Sequence, residues 1–190
     1  MPYAAENDPH CYPGTTTLIN LLDITDSQLL EEAELAFFLI RAEEPPDGKL
    51  DLDHYLALHR HLFQDVYAWA GQIRTIRTGK AGNWFCYPEY IESELHRVFA
   101  ELGDIELRRS MARGAFAAHI AHFLAELNAV HPFREGNGRT QLSFAVLLAE
   151  QAGLRFDATK LDPTKMMEAM IESFSGDERP LVNVMRDLLR

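Results

Sequence analysis

The sequence predicts an essentially all-α fold with one small β element. Three observations carry this. Apolar residues recur at spacings of three and four through most of the chain. The helical period fails in only one internal stretch, between Trp69 and Tyr87, where Ile73, Thr75, Ile76 and Thr78 are β-branched. From Thr140 to Ala152 nearly every residue is apolar, as in a helix buried on most sides. With 190 residues, 47% of them hydrophobic, the chain can bury one substantial core, so a single domain over 1–190 is expected.

Taken in order, residues 1–20 form an N-terminal arm. Pro9, Pro13, Gly14 and three consecutive threonines favour turns over helix there. Ser27 to Arg41 reads as a helix that Pro45-Pro46-Asp47-Gly48 stops, and Asp51 caps a second helix running to about Asp65. Residues 72–86 fit a hairpin turning at Gly79-Lys80-Ala81-Gly82-Asn83. Helices are expected from Glu89 to Leu107, Met111 to Asn128 and Thr140 to Ala152, where Gly153 ends the run. Thr164 to Phe174 and Leu181 to Leu189 complete the set, with Met166, Met167 and Met170 read as packing residues. Trp69 and Trp84 flank the hairpin and suit either target binding or stapling it to the helices.

Composition narrows the function. Against 18 Lys and Arg stand 29 Asp and Glu, a net charge of −11 that repels a phosphate backbone and argues against nucleic acid as partner. Arg74, Arg77 and Lys80, and again Arg134 and Arg139, are local exceptions that could hold a small anion. Two distant cysteines, Cys11 and Cys86, make no disulfide framework. No stretch has the length and apolarity of a membrane span or a leader, so a cytoplasmic protein is expected. His119, His122 and Glu126 share a helix at spacings of three and four, but no Cys/His cluster accompanies them, and they read as surface groups rather than a metal site.

The informative run is His131-Pro132-Phe133-Arg134-Glu135-Gly136-Asn137-Gly138-Arg139-Thr140. Gly136 and Gly138 remove side chains and permit positive φ, so backbone N–H groups can turn inward beside the positive end of the following helix, an arrangement suited to an anion. Arg139 opposes that helix dipole unless a phosphate shares the site. Glu135 beside a phosphate calls for a hard cation such as Mg²⁺, and Asn137 offers an amide to a phosphate oxygen. His131, with an ordinary pKa of about 6.5, suits proton abstraction from a hydroxyl. The assembled chemistry is transfer of a nucleotidyl or phosphoryl group to a hydroxyl.

These residues resemble the signature H-x-F-x-D/E-G-N-G-R-x-x-R of the Fic (Fido) family, which His131 to Arg139 match at nine consecutive positions. The resemblance extends from Tyr12-Pro13-Gly14-Thr15 through Trp69-Ala70-Gly71 and Glu126-Leu127-Asn128 to about Gly153. It implies a helical core with a short β-hairpin flap over the cleft, formed by residues 72–86, and an active-site motif at 131–142. It also implies an adenylyltransferase. His131 would deprotonate a Tyr, Thr or Ser hydroxyl on a target protein, which attacks the α-phosphate of ATP. Glu135 would hold Mg²⁺. Gly136, Asn137, Gly138 and Arg139 would bind the phosphates, and flap residues Thr78 and Lys80 would position the target. Phe133 would anchor the loop in the core.

The chain departs from the signature at its twelfth position, where Leu142 replaces arginine. Losing that charge-assisted contact would weaken ATP binding by about 1.5–3 kcal/mol. The alternative expectation is therefore a degenerate member that binds nucleotide or a partner protein with weak or altered transfer. Gly138, where the kinase-like Doc branch has lysine, favours AMP transfer over phosphorylation. No full copy of the inhibitory pattern S/T-x-x-x-E-G/N occurs, and the Tyr12–Thr15 opening resembles the branch whose inhibitor is a separate chain. A small antitoxin is the expected second partner.

Overall fold

In the computed structural model the described residues are 8–80 and 82–190; residues 1–7 of the expected arm and Ala81 of the expected hairpin turn lie outside them. Among the described residues the elements run α1 (Ser27–Ala42), α2 (Leu52–Phe63), β1 (Gly79–Lys80), β2 (Asn83–Trp84), α3 (Ile91–Leu102), α4 (Ile105–Ser110), α5 (Arg113–Val130), α6 (Asn137–Gln151), α7 (Pro163–Phe174) and α8 (Arg179–Leu188). The fold is mostly helical with one antiparallel hairpin, as the sequence predicts. Two compact units are present: one runs up to Tyr90 and includes Pro132–Thr140, the other comprises Ile91–His131 and Gln141–Arg190.

In the first unit the arm folds back on itself through a Cys11–Leu18 bridge and joins the end of α2 where the Leu21 N–H donates to the Val66 carbonyl (2.8 Å). Asp26 starts α1 by accepting from the Leu29 N–H, and Asp51 starts α2 by accepting from the His54 N–H, each satisfying an otherwise unpaired donor. The two helices pack together. On α2 the spacing of Tyr55, Leu58, His59, Leu62 and Phe63 places all five on the buried side. The hairpin is shorter than expected, two residues per strand, in the register Gly79–Trp84 and Lys80–Asn83. Gly79 is needed there, because a Cβ would stand 2.7 Å from the Asn83 carbonyl oxygen.

The second unit is built around α5, which packs on α3, α7 and α8. Its centre includes an aromatic cluster in which Phe99, Phe123 and Phe144 lie 5.3 to 6.1 Å apart. The single helix expected from Glu89 to Leu107 is broken in two. Gly103 adopts φ +71° and Asp104 recaps the chain through the Leu107 N–H, so α4 leaves α3 at a corner. The methionine stripe on α7 is only partly interior: Met166 and Met170 are half-buried and Met167 is exposed. The chain end returns through a Phe156–Leu189 bridge. No helix among the described residues is long and apolar enough to cross a membrane, and Cys11 and Cys86 are free thiols.

Candidate functional site

The motif begins where α5 stops. Pro132 cannot continue a helix and disfavours helical backbone in the residue before it, so the turn falls on His131. His131 adopts the left-handed conformation (φ 49°, ψ 63°), its N–H donates to the Leu127 carbonyl (2.8 Å), and its side chain is buried.

The following loop belongs to the first unit and is tied there residue by residue. Phe133 is fully buried, stacked on His59 with centroids 3.7 Å apart and tilted against Tyr55, and so anchors the loop as expected. Asn137 closes the loop on itself: its amide donates to the Phe133 carbonyl (2.8 Å) and its carbonyl accepts from the Phe133 N–H (2.9 Å). The side chain expected to reach a phosphate is thus a brace of the loop. Thr140 completes the first turn of α6, its N–H and hydroxyl both donating to the Gly136 carbonyl.

The two glycines differ. Gly136 has φ +78°, and a Cβ there would meet the Phe63 ring at 2.5 Å, so only glycine fits. Gly138 is helical and exposed, and a Cβ on it would meet nothing within 4 Å. The space beside it at the helix start is open. The first N–H groups of α6 have no carbonyl one turn back to receive them.

Sequence reasoning missed the residues that hold this loop. His59 is fully buried; its Nδ1 accepts from the Gly71 N–H (2.8 Å), which places the proton on Nε2, donating to the Glu135 carbonyl (3.0 Å). Burial lowers its pKa to about 3. Arg134 forms a buried ion pair with Asp8 of the arm (2.7 Å). On α1, Glu34 is buried and pairs with Arg139, whose guanidinium also lies 4.8 Å from the Phe63 ring and 5.5 Å from Phe38. The available signal was position: Glu34 sits between Leu30 and Phe38 at steps of four, an acid on an apolar stripe.

Charge is therefore concentrated around Arg139. The Glu135 carboxylate approaches it at 3.8 Å and accepts from the Gly136 N–H (2.8 Å). Burial, then the neighbouring Glu34, pushes Glu135 up from the ordinary carboxylate range, against the pull of Gly136, Arg139 and Arg134. Burial and the Glu34 carboxylate likewise raise Tyr67, so its phenol stays neutral. No group of three or more His, Cys, Asp or Glu among the described residues is arranged to hold a metal, the trio on α5 included. There His119 faces the Leu102 carbonyl and His122 pairs with Glu178.

The hairpin is fastened to the same loop through Arg74. The Arg74 N–H donates to the carbonyl of Pro132 (2.9 Å), and its buried guanidinium donates to the carbonyls of Ile76 (2.7 Å) and Cys86 (2.6 Å), one on each side of the hairpin. Thr78 is fully buried, with its carbonyl accepting from the Phe85 N–H, whereas Lys80 is half-buried. Of the two expected target-positioning residues, Thr78 lies inside the hairpin's base and Lys80 on its strand.

Fold and loop define a class: a helical domain whose glycine-bearing loop opens a helix and is tied through Arg74 to a short hairpin. Residues 49–149 match the Fic/DOC family, and the chain belongs to it. It is 56% identical over 189 residues to the probable protein adenylyltransferase y4lH of Sinorhizobium fredii, with 98% of each chain covered. It is 38% identical to the protein adenylyltransferase VbhT of Bartonella schoenbuchensis over 92% of this chain but only 37% of that longer one. Among solved structures, BepC of Bartonella tribocorum with bound AMPPNP superposes with a TM-score of 0.85 at 26% identity, covering 95% of this chain and 96% of that one.

Proposed function

We propose that the protein is an adenylyltransferase that moves AMP from ATP to a Tyr, Thr or Ser hydroxyl of another protein. The observation that carries this reading is the loop itself, braced by Asn137 and His59, which opens a helix with an unobstructed Gly138 in its first turn. The adenylyltransferase names of its relatives support the same reaction.

In this reading His131 takes the proton of the target hydroxyl. The hydroxyl oxygen bonds to the α-phosphorus of ATP, the bond to the bridging oxygen breaks, and pyrophosphate leaves. The N–H groups of Gly136, Asn137 and Gly138 bind phosphate oxygens, and Arg139 offsets their charge. Glu135 would hold Mg²⁺, because a carboxylate next to a phosphate site suits this hard ion. The ion would neutralise phosphate charge and orient the leaving group. Residues 1–190 act as one functional domain in the cytoplasm, with the arm at 1–20, the flap at 72–86 and the motif at 131–142. Thr78 and Lys80 shape and present the flap to the target, and a small antitoxin restrains the activity.

One observation favours a second reading. Arg139 already has the Glu34 carboxylate as partner, and Leu142 brings no charge, so the phosphate site is weakly cationic. A degenerate member that binds nucleotide or protein without efficient transfer fits that balance. Incubation with α-labelled ATP, Mg²⁺ and a bacterial lysate separates the two. A labelled protein band that vanishes in His131→Ala supports transfer, and nucleotide binding without any band supports the degenerate member.

A further inference from the structure

From Val66 to Pro88 the chain contains no aspartate or glutamate while holding Arg74, Arg77 and Lys80, in a protein whose net charge is −11. This acid-free stretch includes the whole hairpin. Arg74 lies inside, bonded to the carbonyls on either side of the hairpin, so the hairpin is framed before anything binds. Arg77 is placed differently. Its guanidinium carbon stands 3.9 Å from the Tyr87 ring centroid and 4.7 Å from that of Trp84, and both rings are 47% exposed. None of the ion pairs among the described residues involves Arg77. It is a half-buried cation held in an aromatic slot, with Trp84 in turn packed on Gly79 and Lys80 next along the strand.

A guanidinium between two rings keeps its charge and donors while losing little freedom when it meets a carboxylate. On an otherwise acidic protein, a basic patch walled by aromatic rings selects for sign, because opposite charge speeds encounter and like charge repels elsewhere. Taking the hairpin as the flap that meets the target, as in the reading above, we propose that the segment it takes is acidic, an extended stretch with Asp or Glu beside the modified hydroxyl. The identity of that hydroxyl as an AMP acceptor rests on the transfer reading above, whereas the docking itself is read by binding.

The test uses short fluorescent peptides of equal length with one tyrosine set among Glu, Gln or Lys, titrated by anisotropy against the full chain. At low salt the Glu peptide should bind about tenfold more tightly than the Gln peptide, with the advantage shrinking toward an ionic strength of about 0.15 M. Arg77→Gln and Lys80→Gln should each reduce that ratio, and Arg77→Lys should restore part of it. A ratio taken within one variant is unaffected by loss of folded protein. A wild-type ratio near one, a preference for the Lys peptide, or no binding of any peptide overturns the docking. Parallel incubation with α-labelled ATP separates the two readings. Acid-selective binding without label sinks transfer and keeps the docking, while label without acid preference does the reverse.

Discussion

Two glycines separated by one residue make opposite demands. Gly136→Ala would force a Cβ against Phe63 at a positive φ, and it should cost about 2–4 kcal/mol in urea unfolding. Gly138→Ala meets no atom and adds helix propensity, so it should stabilise by about 0.5–1 kcal/mol while weakening ATP binding by narrowing the approach to the helix start. Equal ATP affinity in Gly138→Ala would remove that glycine from the phosphate site. His59 gives a pH prediction. Its folded pKa, about 3, lies below the ordinary value, so the unfolded chain binds the proton first as pH falls below about 6.5. Stability should fall from there toward pH 3, reaching a loss of about 2 kcal/mol near pH 5 from this residue. His59→Gln, although less stable at pH 7, should show a shallower slope in denaturant midpoints between pH 7 and pH 5.

At the scale of elements, the reach of a sequence reading depended on where the determining contacts lie. The helices were readable because caps and periodicity are local: Asp26 and Asp51 start α1 and α2 where expected. The break at Gly103 was not, since a lone glycine within an apolar period is tolerated in many helices, and only the Asp104 cap behind it decides the corner. For the site, the run His131–Arg139 was legible as a motif, but Glu34, His59 and Asp8 were not, because each meets the loop across a long span of chain. Arg74, expected as an anion-holding cation, instead braces the hairpin through the Ile76 and Cys86 carbonyls, a pairing that no local pattern records. The α1 contribution is testable. Glu34→Gln removes a like charge beside Glu135, so the Glu135 carboxyl should ionise at lower pH and the acid limb of Mg²⁺-dependent activity should move down. The same change should cost about 1–3 kcal/mol of stability through the weakened partner of Arg139. An unmoved acid limb would assign that limb to another group.

For the molecule as a whole, the tie between Arg134 and Asp8 spans 126 residues and that between Arg139 and Glu34 spans 105. Contacts of such separation close large loops and form late, after locally encoded helices. In refolding, fluorescent ATP analogue binding should therefore lag behind the far-UV signal of helix formation, and simultaneous recovery of the two would show the loop to be autonomous. The Asp8 pair then has a meaning for synthesis on the ribosome. An emerging chain exposes Asp8 well before Arg134, and the pair cannot close until residue 134 has left the exit tunnel. Until then the early helices can form from local signals while the loop at 132–140 lacks both of these long-range ties, so the braced loop is assembled only late in synthesis.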